Sequence, residues 1–117
     1  MSQLVTYNSL VGYQLLERRK ELGVDQATVS MKTGISQPVL SRLEKGAAII
    51  STDQLFVICQ ALKCRPSDIL KAVESVVDKL NGNEQLEVKT TKEANTAGAF
   101  LAGAAIGTAL TFLLSKK

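Results

Sequence analysis

Residues 25–46 read DQATVSMKTGISQPVLSRLEKG, and they predict two short helices joined by a tight turn. Asp25 and Ser36 carry side-chain oxygens that can accept hydrogen bonds from the free N–H groups at the start of a helix. Gly34 supplies the backbone freedom that is needed just beyond a helix end. The stretch is therefore expected to form a helix, a turn and a second helix.

The second helix of this unit has an apolar side and a polar side. Four apolar residues of the unit are expected to face the core: Val29, Ile35, Leu40 and Leu43. The outer side of the second helix carries Gln37, Pro38, Ser41 and Arg42. A short helix that is held by its neighbours and has hydrogen-bonding side chains on its outer face can enter a DNA major groove.

With this spacing, roughly residues 11–70 resemble the lambda-repressor-like, Cro/C1-type (XRE) helix-turn-helix proteins of bacteria and phages. The resemblance rests on the small residue Ser30 where the two helices cross, on the turn glycine Gly34, and on the apolar positions. It implies an all-α fold, in which a five-helix domain binds double-stranded DNA and needs no cofactor or metal.

The resemblance assigns base contacts to the start of the second helix. Gln37 is then the main reader, because its amide can form two hydrogen bonds with adenine, and Arg42 reaches guanine or phosphate. The other predicted DNA contacts are Gln26, Ser36, Pro38, Val39 and Ser41. For each of these seven residues, the alternative is an exposed side chain without a DNA role.

The resemblance also implies an ion pair between Arg19 in the first helix and Glu44 at the end of the DNA-reading helix. The other charges of the cluster ERRKE at residues 17–21 are expected to be solvated. Loss of one partner from a buried pair would cost about 3 kcal/mol or more.

The loop after the reading helix departs from the family pattern. Relatives usually carry cations there, whereas this chain has GAAIIST at residues 46–52. Fewer phosphate contacts would give weaker nonspecific binding and a shallower salt dependence. Alternatively, Ile49, Ile50 and Phe56 form a contact between subunits.

Composition limits the other possibilities. The chain has 117 residues, a net charge of +3 and no histidine. Cys59 and Cys64 are too few for a zinc site, and a helical spacing of five is expected to place them on different sides, as reduced core thiols. No catalytic site is predicted, because the sequence lacks a nucleophile motif and a glycine-rich phosphate loop.

Three segments are predicted. Residues 1–80 form the DNA-binding domain, with a helical core at residues 10–80; residues 81–93 form a polar linker; and residues 94–117 form a Gly/Ala-rich apolar helix. A capping box of Ser51 and Gln54 begins the fourth helix. The fifth begins near Pro66, and its apolar residues either complete the core or form a coiled-coil seam.

The C-terminal segment has no charge between residues 94 and 115. Residues 97–114 would span roughly 27 Å as a helix, near the minimum for crossing a membrane. Small residues recur at every fourth position: Ala99, Gly103, Gly107 and Thr111. This pattern lets helices approach closely in membranes or in oligomers. The alternative is a soluble helix that packs on its own domain or on another copy.

The sequence is compatible with three functions. The first is a sequence-specific transcriptional repressor, a homodimer or larger homo-oligomer, with its DNA-binding domain in the cytoplasm and its tail inserted in the inner membrane or driving assembly. No secretory signal is recognised at residues 1–9. The second is a helix-turn-helix scaffold at the membrane that has lost DNA binding. The third is an antitoxin-like regulator that also binds a partner protein.

Overall fold

The structure, a computed structural model, describes residues 3–81 and 86–97. In chain order, these residues form β1 (Gln3–Thr6), α1 (Tyr7–Leu22), α2 (Gln26–Thr33), α3 (Gln37–Lys45), α4 (Thr52–Ala61), α5 (Pro66–Leu80), β2 (Leu86–Lys89) and α6 (Thr91–Ala97). The predicted five-helix domain corresponds to α1–α5.

Local capping explains where α2, α3 and α4 begin. The Asp25 carboxylate accepts a hydrogen bond from the Thr28 N–H, and the Ser36 hydroxyl accepts one from the Val39 N–H. Ser51 and Gln54 form the predicted capping box at α4. These side chains satisfy N–H groups that have no partner within their own helix.

The first helix begins earlier than predicted. It starts at Tyr7 with Thr6 as its N-cap, whereas the helical core was predicted to begin at residue 10. Leu22, the last residue of this helix, is exposed.

An apolar core lies between β1 and the first five helices. It contains Val5, Leu10, Val11, Leu15, Val29, Leu40, Leu43, Leu55, Ile58, Cys59, Leu62, Ile69, Val73, Val76 and Leu80. On α5, Leu70 and Val77 are half-buried and pack against this core. The apolar residues of α5 thus complete the core, which is the simpler of the two predicted roles.

Two strands correct the all-α prediction. β1 pairs in parallel with β2, in the register Gln3↔Leu86 to Thr6↔Lys89. Residues 81–93 were predicted to be a polar linker, but they contain β2 and the start of α6. The alternation of Leu86 and Val88 with charged neighbours spans only four residues, and only β1, distant in sequence, makes it a strand.

The two cysteines also lie differently from the prediction. α4 ends at Ala61, and Lys63 adopts a left-handed conformation with φ of 56°. The Cys64 N–H therefore donates to the Cys59 carbonyl oxygen over 3.0 Å, as in a Schellman helix end. This turn brings the two thiols together instead of placing them on different sides of a helix.

The small-residue positions Ala99, Gly103, Gly107 and Thr111 lie outside the described residues. So does the proposed membrane segment, residues 97–114, apart from its first residue. Within the part of the chain that the structure describes, no helix combines the length and the apolar character needed to span a membrane.

Candidate nucleic-acid interface

The turn between α2 and α3 sets the angle of the two helices through local hydrogen bonds. Gly34 has a φ of 77°, and its N–H donates to the Ser30 carbonyl oxygen over 2.9 Å. The Ser30 hydroxyl then donates to the Ile35 carbonyl oxygen over 2.6 Å. Ser30 is thus a small residue at the crossing that also fixes the turn.

The outer face of α3 follows helical spacing. Gln37, Pro38, Arg42 and Lys45 are exposed, and Ser41 is half-buried. Residues four apart lie on the same side of a helix, so these five residues form one continuous face. We call this surface the α3 face.

Three of the seven residues predicted to contact DNA also pack or form hydrogen bonds within the domain. Val39 is half-buried and packs against the core, so its side chain is less accessible than its neighbours on the α3 face. Ser36 is exposed, but its hydroxyl caps α3. Gln26 is half-buried and its amide donates to Glu44 over 2.8 Å. The amide of Gln26 is therefore engaged in an internal hydrogen bond.

Glu44 lies beneath the α3 face and is only 5% exposed. Its two carboxylate oxygens accept hydrogen bonds from Arg19, at 2.8 Å from Nε and 3.1 Å from Nη2. Arg19 Nη1 donates to the Val24 carbonyl oxygen over 3.0 Å. The hydrogen bond to Glu44 raises the pKa of Arg19, so the buried carboxylate faces a permanent positive charge.

The first helix crosses the end of α3 at very short range. A Cβ atom at Gly12 would collide with the Leu43 carbonyl oxygen. At Gly46, which has a φ of 76°, a Cβ atom would collide with the Ser9 side chain. Only glycine fits at either point without movement of the backbone, and this close approach fixes the position of α3 on α1.

The loop between α3 and α4 is held by Asn8. The Asn8 amide nitrogen donates to the Ala48 carbonyl oxygen, and its oxygen accepts from the Ile50 N–H, both over 3.0 Å. Ile50 is half-buried against the core, whereas Ile49 is 69% exposed. The loop therefore presents Ile49 to solvent in a fixed position.

The charge around the α3 face is positive but sparse. Lys32, Arg42 and Lys45 are exposed cations on α2 and α3. Asp25 lies at the start of α2, where its hydrogen bonds with Thr28 lower the pKa of its carboxyl group. Among the described residues, no group of three His, Cys, Asp or Glu side chains could hold a metal ion.

The sequence patterns predict neither the contact of Asn8 with the loop after α3 nor the close packing at Gly12. A glycine inside a helical pattern is a signal of close packing that could have pointed to Gly12. No comparable signal exists for Asn8, because its partners lie about forty residues away.

Comparisons with known proteins agree with this geometry. Residues 14–75 match the Cro/C1-type HTH DNA-binding domain family. The structure is similar to that of the clp gene regulator ClgR from C. glutamicum, with a TM-score of 0.57 and 26% identity, over 59% of this chain and 90% of that one. No curated protein sequence matches the chain.

A second similar structure is the restriction-modification controller protein C.AhdI from Aeromonas hydrophila. Its TM-score is 0.51 and its identity 23%, over 52% of this chain and 92% of the other. At that identity the likeness shows the fold alone.

Proposed function

The chain belongs to the Cro/C1-type helix-turn-helix DNA-binding family, and on this premise we propose that it is a sequence-specific regulator of transcription that reads DNA with the α3 face. The similarity to ClgR, a gene regulator, supports this proposal. The simplest action of so small a domain is repression, because a protein that occupies a promoter blocks other proteins from it.

One observation carries the proposal. The α3 face is exposed at Gln37, Pro38 and Arg42, whereas the opposite side of the same helix is buried at Leu40, Leu43 and Glu44. A rigid platform with a polar outer edge suits insertion into a major groove. In this arrangement Gln37 reads adenine, and Arg42 contacts guanine or a phosphate.

A homodimer is the proposed binding unit. Ile49 and Phe56 flank the first turn of α4 and are 69% and 52% exposed. Large apolar side chains that are exposed to solvent favour burial against a second subunit. Two domains on related half-sites would also increase specificity. The double variant Ile49→Asp, Phe56→Asp should be monomeric by sedimentation. If it keeps the molecular mass of a dimer, this interface is rejected.

Selection of bound fragments from random DNA by the full chain tests the main proposal. The selected fragment is then titrated with Gln37→Ala and Arg42→Ala proteins. Gln37→Ala should lose about 1–3 kcal/mol of binding free energy and relax the choice of base at one position. If Arg42 contacts a phosphate, Arg42→Ala should weaken binding equally on all sequences.

Two control variants match these changes on other surfaces. Gln60→Ala on α4 and Lys71→Ala on α5 remove the same kinds of side chain from exposed positions. They should bind the fragment like the wild type. Failure to enrich any sequence at low salt would reject the regulator and favour the scaffold function, for which the exposed Ile49 and Phe56 are the supporting observation.

The apolar C-terminal stretch adds a further proposal, that residues 97–114 associate with a membrane. Its support is the uncharged sequence from residue 94 to 115. Fractionation of the full chain and of a Leu110→Lys variant provides the test. Membrane association that is lost in the variant supports insertion, and wild-type protein found only in the soluble fraction rejects it.

A further inference from the structure

The segments outside the family match form a structure of their own. The match covers residues 14–75, whereas β1, the first turn of α1, β2 and α6 lie outside it. β1 contacts β2 and α6, and β2 contacts α5. Val5 and Ala94 are fully buried, so this terminal assembly is packed onto the domain.

The strand β1 continues directly into α1 through Thr6. The Thr6 hydroxyl accepts a hydrogen bond from the Ser9 N–H over 2.9 Å, and the Ser9 hydroxyl donates to the Thr6 carbonyl oxygen over 2.8 Å. Both side chains are buried. The position of β1 therefore determines the position of the first turn of α1.

That first turn holds the end of the DNA-reading unit. Asn8 binds the loop after α3 through Ala48 and Ile50. Ser9 lies against Gly46, the C-cap residue of α3. A chain of direct contacts thus runs from β2 and α6, through β1 and the first turn of α1, to the end of α3.

We propose that β1, β2 and α6 form a latch that sets DNA affinity by holding the first turn of α1 against the end of α3. This inference rests on the DNA-binding function proposed above. A two-stranded sheet is only marginally stable, so β2 and α6 can separate from β1 without unfolding the core. When they separate, Asn8 and Ser9 lose their fixed positions and DNA affinity falls.

The coupling must act in both directions. If a closed latch strengthens DNA binding, then bound DNA strengthens the latch by the same factor. Residues 98–115, which follow α6, carry no charge. Any partner that holds this stretch away from the domain therefore weakens DNA binding.

The test compares two full-length variants with the same new charge on neighbouring residues. Ala94→Glu places a carboxylate at a fully buried position, whereas Asn95→Glu places it at an exposed one. Ala94→Glu should bind the selected DNA fragment about tenfold more weakly, because most molecules then have an open latch. Asn95→Glu should remain within about twofold of the wild type, since surface substitutions have small effects.

Hydrogen exchange distinguishes the latch from general unfolding. In Ala94→Glu the amides of residues 7–12 should exchange faster, while those of α4 and α5 keep their protection. Val88→Ala, a milder change in β2, should shift exchange and affinity in the same direction to a smaller extent. DNA should slow the exchange of β2 and α6 in the wild type.

Two further results decide the proposal. Asn8 lies on the same chain of contacts as Ala94. The losses of DNA affinity in Asn8→Ala and in Ala94→Glu should therefore not add in the double variant. Equal DNA affinity of Ala94→Glu and Asn95→Glu would overturn the latch, as would unchanged exchange at residues 7–12. If the wild type binds no DNA, the proposed function fails, and the exchange at residues 7–12 alone decides whether the latch holds α1.

Discussion

Arg19 and Glu44 join α1 to the last turn of α3 through a two-point ion pair, with 2.8 Å between Arg19 Nε and Glu44 Oε2. Only 14% of the Arg19 side chain and 4% of the Glu44 side chain are exposed. Gln26 adds a hydrogen bond from α2. Helices α1, α2 and α3 therefore meet at one buried carboxylate beneath the α3 face.

Removal of one partner from this pair should destabilise the domain strongly. Arg19→Ala leaves Glu44 buried and unpaired, and the free energy of unfolding should fall by about 3–5 kcal/mol. Denaturant unfolding measures this loss. As a control, the double variant Arg19→Met, Glu44→Leu should recover most of it, because an apolar pair has no charge to desolvate. A loss below about 1 kcal/mol in Arg19→Ala would show that the pair is effectively solvated.

Gly12→Ala should destabilise the fold although alanine favours helices. Alanine gains about 1 kcal/mol in a helix relative to glycine. Its Cβ atom would collide with the Leu43 carbonyl oxygen, which belongs to the backbone and cannot rotate away. We expect a net loss of about 1–3 kcal/mol in thermal or denaturant unfolding. Lys20→Ala, at an exposed position of the same helix, should change stability by less than about 0.5 kcal/mol.

Ala47→Lys should add a phosphate contact if the loop after α3 lies beside DNA, as the proposed function implies. Ala47 is exposed, and its N–H donates to the Arg42 carbonyl oxygen over 2.9 Å, so the backbone is already held. One added contact should steepen the dependence of log K on log salt by about 0.9. Ser75→Lys adds the same charge on α5 and serves as the control. An identical salt slope in the two variants would show that the loop lies away from DNA.

The two cysteines should differ sharply in reactivity. Burial and, to a lesser extent, the nearby Cys64 raise the pKa of the Cys59 thiol to about 12, so almost no thiolate exists there at pH 8. Cys64 is half-buried and lines a cleft between α1 and α5. Iodoacetamide at pH 8 should label Cys64 alone in the folded protein and both residues in denaturant, as read by mass spectrometry. Equal labelling rates in the folded protein would contradict the burial of Cys59.

Tyr7 offers an optical readout of the start of α1. Its hydroxyl donates to Glu74 Oε2 over 2.6 Å, and this hydrogen bond, together with burial and the charge of Glu74, raises the pKa of Tyr7 to about 12. Burial raises the pKa of Tyr13, the other tyrosine, to about 12 as well. A spectrophotometric titration of Glu74→Gln should therefore show one phenol that ionises at lower pH and one that does not.

The raised pKa of Tyr7 should make the stability of the folded domain depend on alkaline pH. A raised folded-state pKa means that the contribution of Tyr7 is complete below about pH 10 and is lost as pH rises through about 12. Glu74→Gln should weaken this alkaline dependence of stability. If both phenols titrate as in the wild type, the hydrogen bond between Tyr7 and Glu74 is absent in solution.

The sequence alone determined the helix-turn-helix unit, because its signals are local. Asp25, Ser36 and Ser51 each act on N–H groups within three residues, and Gly34 acts on its own backbone. The apolar spacing of α3 is equally local, so the buried and exposed sides of that helix followed from the sequence. The resemblance to a known family placed Arg19 opposite Glu44, which no local pattern could have done.

Tertiary structure decided the other contacts between residues far apart in the chain. Residues 86–89 form a strand because β1 lies beside them. Asn8 forms its hydrogen bonds with residues about forty positions away. The left-handed Lys63 turned Cys64 back onto Cys59, against the expectation from helical spacing. Hydrogen bonds and close packing between distant segments depend on the folded path of the chain, and short-range sequence patterns do not encode that path.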